Sequence, residues 1–313
     1  MTRGQSDKRT EPASGAGRDA RPSGGNDRIQ TSSETWSIGI YAGESPLRLS
    51  APVGIQNPVL TREDVTDVTA SFVADPFVIR QGDRWYMFFE VLDAETSKGA
   101  IGLAVSQDGL QWAYRQIVLQ EAYHLSYPYV FEWRGDHYMV PETLEPRCVR
   151  LYKASLFPIR WTCIGALVDG RSADPSIVRL HGFWWLFTCG TPYRHDTLRL
   201  YFAETLEGFW REHPRSPVIS GDLRRARPAG RLTHWGGKLF RFAQDCHPRY
   251  GTSVRAFEIT ELSRTAYREA EVPGGPVIGP GGSGWNRAGM HHLDPWPVQY
   301  GRWLACVDGL QVD

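Results

Sequence analysis

Short runs of alternating apolar and polar residues, separated by Gly, Pro and Asp, fill the chain from Trp36 onward. A period of two residues is typical of β-strands, and no long stretch has the 3.6-residue period of an amphipathic helix. Three of these runs end in tryptophans that lie 49 residues apart, at Trp112, Trp161 and Trp210. The pattern predicts an all-β protein built from repeats of about fifty residues.

A second repeated unit consists of a strand, a glycine turn and an aromatic strand. Glycine adopts the positive φ that a tight hairpin turn needs, so each unit predicts a β-hairpin. The predicted hairpins span residues 74–90, 126–142, 173–188, 227–245 and 293–309. With two outer strands each, they predict a five-bladed β-propeller over residues 34–313. Residues 36 to about 60 show no hairpin pattern, and we expect them to add a strand to the last blade and close the ring. A two-sheet sandwich would not explain the tryptophan spacing.

Composition narrows the class of protein further. Residues 1–33 are rich in Gly, Ser, Arg, Asp and Pro, which predicts a disordered N-terminal tail. Lys+Arg and Asp+Glu both number 35, and this neutral balance argues against nucleic acid or an anionic membrane as partner. We also expect no membrane span, because no apolar run is long enough, and no signal peptide.

Five cysteines without a CxxC pair predict free thiols. Together with the missing signal peptide, they predict a cytoplasmic location. No phosphate-binding glycine loop, nucleophile elbow or zinc motif occurs, so we expect no cofactor and no metal.

The chemistry is expected where the innermost strand of each blade begins, because these positions meet at the central channel. The residues at those positions are Asp75, Tyr127, Asp174, Arg227 and Asp294. A single Asp-Pro pair is typical of a turn, whereas three in the same place of a repeat indicate a shared pocket. Carboxylates, a phenol and a guanidinium in one cavity are suited to binding sugar hydroxyls.

Other polar residues border the same predicted pocket. Glu90 and Glu142 end second strands after apolar residues, where a raised pKa would suit a general acid; a solvated strand end is the alternative. His124 lies in an aromatic segment, with a structural histidine as the alternative. Asp245 ends the fourth hairpin in a polar and aromatic cluster, with a simple loop as the alternative. A His-His-x-Asp run could bind metal, but we interpret His292 as pocket lining because no further ligands have metal-site spacing.

The run ADPFVIRQGDRWYMFFE resembles the opening blade of the five-bladed glycosidases of glycoside hydrolase family 43. More closely, WSIGIYAGESP, FVADPF, HLSYPYVFE, LYKASLFPIRW, ARPAGR and AQDCHPRYG resemble the N-terminal propeller domain of glucosamine inositolphosphorylceramide transferases and related bacterial proteins. This resemblance implies a propeller associated with glycoconjugate synthesis, joined in the plant proteins to a separate glycosyltransferase domain. Because this sequence ends at Asp313, we expect activity from the propeller itself or from a separate glycosyltransferase partner.

The resemblance to the glycosidases implies an aspartate base at Asp75 and a pKa-tuning aspartate at Asp174. Their general acid is a glutamate that opens a later blade, where this chain has Arg227. Hydrolysis needs two carboxyl groups, so Glu142 or Glu90 would have to substitute.

Arginine at that place suits an anionic ligand instead. Arg227 and Arg231, with Arg241 beyond, are expected to hold the phosphate or carboxylate of an activated, lipid-linked or acidic sugar. The alternative is that these arginines pair with neighbouring carboxylates.

The leading hypothesis is sugar transfer or processing in glycoconjugate or surface-polysaccharide synthesis. Asp75 would be the base, Asp174 and Asp294 would orient the substrate, and Arg227 would hold an anionic group. A non-catalytic glycan-binding module, a glycosidase with an atypical acid and a protein-interaction scaffold are the alternatives.

Overall fold

Five antiparallel blades, four of them four-stranded and one five-stranded, form a β-propeller in the computed structural model, which describes Met1 and residues 34–312. Blade 1 consists of β3 (Ala70–Gln81), β4 (Arg84–Asp93), β5 (Lys98–Ser106) and β6 (Ala113–Leu119). Blade 2 consists of β7 (Ser126–Trp133), β8 (Asp136–Glu142), β9 (Cys148–Leu156) and β10 (Arg160–Asp169). Blade 3 consists of β11 (Ala173–Leu180), β12 (Phe183–Cys189), β13 (Thr197–Ala203) and the short β14 (Arg211–Glu212) and β15 (Ile219–Ser220), which both pair with β13.

The last two blades complete the ring. Blade 4 consists of β16 (Thr233–Trp235), β17 (Lys238–Asp245), β18 (Ser253–Leu262) and β19 (Tyr267–Glu271). Blade 5 consists of β20 (Leu293–Pro297), β21 (Trp303–Val312), β1 (Glu34–Ser45) and β2 (Arg48–Ser50). Short 3-10 helices span Arg62–Asp64, Gly284–Asn286 and Gln299–Gly301. The predicted five-bladed propeller is confirmed, whereas the predicted tail at 1–33 lies outside the described residues apart from Met1.

Ring closure follows the sequence prediction with one correction. Strand β1 pairs with β21 from Glu34–Val312 to Gly43–Trp303, so the two ends of the described chain share one sheet. The lead-in nevertheless forms a hairpin of its own, because β2 folds back on β1. A Cβ atom on Gly43 would lie 1.9 Å from the carbonyl oxygen of Arg48, so glycine is what permits this approach. Three residues of β2 are too few for a visible alternating pattern.

The regularly spaced tryptophans have one shared task. Each closes the turn between the third and fourth strands of its blade by donating its indole N–H to a nearby backbone carbonyl. The donor–acceptor pairs are Trp112 to Gly109 at 3.1 Å, Trp161 to Pro158 at 2.9 Å and Trp210 to Leu206 at 3.0 Å. Their 49-residue spacing therefore reports the blade repeat itself.

The Asp-Pro motif of blades 1 and 3, and the Tyr-Pro pair at the same place in blade 2, form a bulge inside the innermost strand. In blades 1–3 the strand register shifts between residues 74 and 77, 126 and 129, and 173 and 176. Asp75, Tyr127 and Asp174 have φ values of 54°, 47° and 50°, which are rare for residues other than glycine. The same strained conformation in three blades points to a functional demand on these side chains.

Two further findings concern the cysteines and the helices. All five cysteines are free thiols, as the sequence predicts. No helix within the described part of the chain has the length and apolar character needed to cross a membrane.

Candidate functional site

Strand register defines which side chains meet at the mouth of the channel. Phe77 pairs with Phe88 in blade 1, and the corresponding pairs in blades 2 and 3 are Tyr129–Val140 and Ser176–Phe187. In each blade, the residue two positions before the first member of such a pair and the residue two positions after its second member lie at the mouth of the channel. We call these residues the entrance ring: Asp75 and Glu90, Tyr127 and Glu142, Asp174 and Cys189, Arg227 and Gln244, and His292 and Asp308.

Asp294 lies deeper than the sequence suggested. It pairs with Cys306, at the level of Phe77 rather than Asp75, so His292 takes the expected place in blade 5. The carboxylate of Asp294 is fully buried, lies 2.7 Å from Nε of Arg231 and accepts a hydrogen bond from the Val78 amide. Asp294 and Arg231 therefore satisfy each other within the protein, away from the entrance ring.

Asp245 also differs from its predicted place. The preceding residue, Gln244, faces the channel and donates a hydrogen bond to Asp174 at 2.7 Å. Successive residues of a strand face opposite sides, so Asp245 points away from the channel. It pairs there with Arg224 and Arg255 at 3.2 and 2.8 Å.

Arg227 links carboxylates from two other blades. Its Nε lies 2.5 Å from Asp174 and its Nη2 lies 3.5 Å from Glu142, while its Nη1 donates to the Pro192 carbonyl at 3.0 Å. The ring of Tyr250 covers the guanidinium at 4.9 Å. The alternative reading, that this arginine pairs with neighbouring carboxylates, is what the structure shows. Its expected role as the holder of a substrate anion does not match this pairing.

Arg241 is likewise engaged elsewhere. It is 1% exposed and pairs with Glu269 of β19, so it does not border the channel entrance.

Glu142 is a carboxyl group poised to hold a proton near neutral pH. It is only 5% exposed and accepts a hydrogen bond from the Asp174 amide at 3.1 Å. Burial and the negative charge of Asp174 raise the pKa of Glu142 to about 8, although the Arg227 cation opposes the shift. This is the property that the sequence analysis required of a substitute general acid.

Asp75 belongs to a buried cluster with two histidines. Its Oδ1 lies 3.8 Å from Nε2 of His291 and 3.6 Å from Nδ1 of His292. Burial raises the pKa of Asp75 well above its usual range, and the charge of His291 only partly offsets this. His291 also lies 2.6 Å from Asp308 and stacks on Trp36.

The two histidines carry different charges. Burial lowers the pKa of His291, but the carboxylates of Asp308 and Asp75 more than compensate and raise it to about 9. Burial lowers the pKa of His292 to about 3. At neutral pH the cluster therefore contains one imidazolium and one neutral imidazole.

The ligand atoms of Asp75, His291 and Asp308 lie within 4.8 Å of one another, so this triad could hold a metal ion. A metal would first have to displace the proton on His291, which both carboxylates stabilise. The prediction that the protein binds no metal is not tested by this geometry.

The two remaining predicted residues are His124, which is partly exposed, and Tyr127, which is buried. Nε2 of His124 is 3.1 Å from Glu90. Burial lowers the pKa of His124, but the hydrogen bond and charge of Glu90, with the charges of Glu142 and Glu145, together raise it to about 9. Tyr127 is fully buried, and its hydroxyl contacts Ser176 at 2.8 Å and the amide of Gly230 at 2.5 Å. Tyr127 therefore reaches from the entrance ring to Ser176, which lies at the level of Phe77.

Sequence reasoning missed three members of the entrance ring. Cys189, Gln244 and Asp308 lie seven residues after a hairpin glycine, as Glu142 does. Counting from the turn would have found all three residues.

The fold and site define a five-bladed β-propeller with a ring of buried acidic and cationic side chains at the channel entrance. The chain belongs to the family described as glucosamine inositolphosphorylceramide transferase 1, N-terminal, which matches residues 29–310. It is 37% identical over 300 residues to the protein of that name from Oryza sativa subsp. japonica, and 34% identical over 299 residues to the one from Arabidopsis thaliana. These matches cover 89% of this chain but only 40% and 39% of the relatives, so the chain spans about two fifths of their length.

Solved structures support the fold alone. A putative glycosidase from Bacteroides thetaiotaomicron has a TM-score of 0.62 at 14% identity, with 84% of this chain and 97% of that chain covered. The catalytic domain of the Coprinopsis cinerea GH62 alpha-L-arabinofuranosidase has a TM-score of 0.58 at 14% identity, with 89% and 98% covered. The chain thus shares its propeller with glycoside hydrolases.

Proposed function

We propose that this chain is a carbohydrate-active propeller that binds a sugar at the entrance ring and transfers or otherwise processes it in glycoconjugate or surface-polysaccharide synthesis. The observation that supports this most is the buried carboxyl group of Glu142, whose pKa is raised to about 8, on the blade next to Asp75. One protonated carboxyl can donate to a leaving oxygen while a second accepts a proton from the attacking hydroxyl.

Each group has a proposed role. Glu142 donates the proton to the leaving oxygen, because it is protonated at neutral pH and lies beside Arg227, which stabilises the carboxylate that remains. Asp75 accepts the proton of the attacking hydroxyl, with His291 stabilising its charged form. Asp174, oriented by Arg227 and Gln244, accepts hydrogen bonds from sugar hydroxyls.

The Glu90–His124 pair binds further hydroxyls at the rim, where His124 retains a 32% exposed side chain. Five free thiols support a reducing, cytoplasmic location. This location is part of the proposal.

A non-catalytic glycan-binding module is the second candidate. The length ratio favours it, because about three fifths of each plant relative lies outside the region that matches this chain. In that case a separate glycosyltransferase protein carries out the chemistry, and the entrance ring only holds the glycan.

Substitution of Asp75 by Asn separates the two candidates. We expect turnover to fall by about 10²–10⁴-fold, because the proton acceptor is lost while the shape of the site is kept. Sugar binding should change little. Turnover is measured with a panel of nucleotide sugars and nitrophenyl glycosides, and binding by saturation-transfer NMR with the same sugars.

Asp83→Asn is the matched control, because Asp83 lies in the exposed turn of the same hairpin. Binding without turnover in the wild-type protein would favour the binding module. Neither turnover nor binding across the panel would contradict both candidates.

A further inference from the structure

Blade 4 contains a second cleft, of about 530 Å³, on the other side of β17 from the entrance ring. Its polar lining is formed by Arg224, Asp245, His247, Thr252, Ser253 and Arg255, and segment 276–280 closes one side. The loop at 246–252 separates the two places. Gln244 and Tyr250 contact the Arg227 and Asp174 group, whereas Asp245 and Ser253 line the cleft.

Charge in this cleft is organised around one buried carboxylate. Oδ2 of Asp245 lies 3.2 Å from Nη1 of Arg224 and 2.8 Å from Nε of Arg255, and the Asp245 side chain is 3% exposed. Nη1 of Arg255 also reaches Glu271 at 2.6 Å, outside the lining. The lining therefore carries two guanidinium groups against one carboxylate.

Arg224 is the lining arginine whose guanidinium has N–H groups left to bind a ligand. Its side chain is 51% exposed, and Nη1 makes its one hydrogen bond to a side chain of the described residues. Arg241 of the same blade differs, because Glu269 binds both its Nε and Nη2, at 2.9 and 2.7 Å, in the interior. The free edge of Arg224 can thus serve a ligand.

We infer that this cleft binds a phosphate group. The planar fork of a guanidinium matches the oxygens of phosphate, and two such forks held by one carboxylate form a preorganised pair. The hydroxyl of Ser253 lies in the lining and adds a donor at the wall. The volume falls in the range of small-molecule sites, so the phosphate belongs to a larger molecule.

This phosphate site is separate from the sugar chemistry of the entrance ring. None of its lining residues belongs to that ring, and binding of phosphate can be measured without any turnover. Failure of one proposal therefore leaves the other standing.

Calorimetric titration of the full chain with inorganic phosphate tests the inference. We expect saturable binding in chloride buffer, and Arg224→Ala should weaken it about tenfold, because a hydrogen bond between charged groups is lost. This variant should remain folded, because Arg224 is half-exposed and Asp245 keeps Arg255 as a partner. Arg224→Lys should retain part of the affinity, because it keeps the charge but not the fork.

Arg225→Ala is the matched control. Arg225 is the next residue, is 45% exposed and pairs with Asp222 outside the cleft, so the same charge is removed without touching the site. Equal weakening by both variants, or no phosphate binding by the wild-type chain, would overturn the inference.

Two further probes identify the source of the phosphate. Glucose 1-phosphate represents a soluble sugar phosphate, and phosphatidylcholine vesicles containing phosphatidylinositol represent a lipid headgroup. Binding that depends on Arg224 with the first assigns a soluble ligand, and co-flotation that depends on Arg224 with the second assigns a lipid. Loss of the Arg224 dependence with both probes and with inorganic phosphate would contradict the site.

Discussion

Two buried Arg–Asp pairs lie four residues apart at the start of blade 4, yet their surroundings differ. Arg231 pairs with Asp294, and its other N–H groups donate to the carbonyls of Val130 and Val78 at 3.0 Å. This pair therefore ties blades 1, 2, 4 and 5 together. Arg227 pairs instead with Asp174 and Glu142, in a group of ionisable side chains at the channel mouth.

The difference separates a structural role from a functional one. The Arg231 pair contains one carboxyl group, Asp294, whose pKa is raised by burial against the opposing charge of Arg231, and the other partners of Arg231 are backbone carbonyls, which do not titrate. Arg227 is surrounded by groups whose pKa values are shifted, including Glu142 and Asp75. Such shifts cluster at sites of chemistry. The two pairs should consequently respond to different experiments.

The largest expected effect is on stability, from Arg231→Met. This change leaves the Asp294 carboxylate buried without its partner, which costs about 3–5 kcal/mol of the free energy of unfolding. Urea denaturation followed by tryptophan fluorescence measures it.

The double variant Arg231→Met/Asp294→Leu should recover much of this loss, because it removes the stranded charge as well. A loss below about 1 kcal/mol in the single variant would mean that the pair is not a structural tie.

The second expected effect is a pH dependence of the free energy of unfolding, and it comes from Glu142 in the group around Arg227. Glu142 has a pKa of about 8 when folded against 4.5 as a free side chain, so the folded protein holds a proton that the unfolded chain releases in between. The stability from this proton is complete below pH 4.5 and is lost as the pH rises through 8. Between pH 7 and 8 the loss is about 1 kcal/mol, and Glu142→Gln should remove it.

Three histidines limit the pH range in which the effect of Glu142 can be measured. His124 and His291, with pKa values of about 9, also make the free energy of unfolding fall as the pH rises from 6.5 to 9. This decrease persists in Glu142→Gln. His292 makes the free energy of unfolding rise with pH between pH 3 and 6.5, so the variants are compared by denaturation above pH 6.5. The exposed Glu132→Gln is the control. Parallel pH curves for wild type and Glu142→Gln would contradict the assignment.

The periodic part of the molecule was predictable, because strand alternation, hairpin glycines and tryptophan spacing are local properties of the sequence. The carboxylates at Asp75, Asp174 and Glu142 followed from the same repeat. Errors arose where register decides the outcome. Asp294 shares the Asp-Pro letters but not the bulge of blades 1–3, and Asp245 misses the channel by one residue. Pairing of Arg227 with carboxylates was the alternative that the sequence offered, but its partners Asp174 and Glu142 could not be identified because they come from other blades.

The smallest expected effect is at the rim of the Arg227 group. The turn at 191–195 lies against Arg227 through the Pro192 carbonyl and His195, and it presents Tyr193 with 73% of its surface exposed. An exposed aromatic ring beside a sugar site can stack on the apolar face of a sugar ring. Tyr193→Ala should therefore weaken sugar binding about threefold to tenfold, corresponding to about 1 kcal/mol, and leave turnover of the bound sugar unchanged.

Tyr300→Ala provides the comparison for Tyr193→Ala. Tyr300 is 95% exposed, but it lies in the turn between β20 and β21, at the opposite end of the strands from the channel mouth. The same aromatic surface is removed far from the Arg227 group, so sugar affinity in saturation-transfer NMR should not change. Equal weakening by both tyrosine variants would mean that Tyr193 does not contact the sugar. Sugar binding would then depend on the buried groups around Arg227 alone.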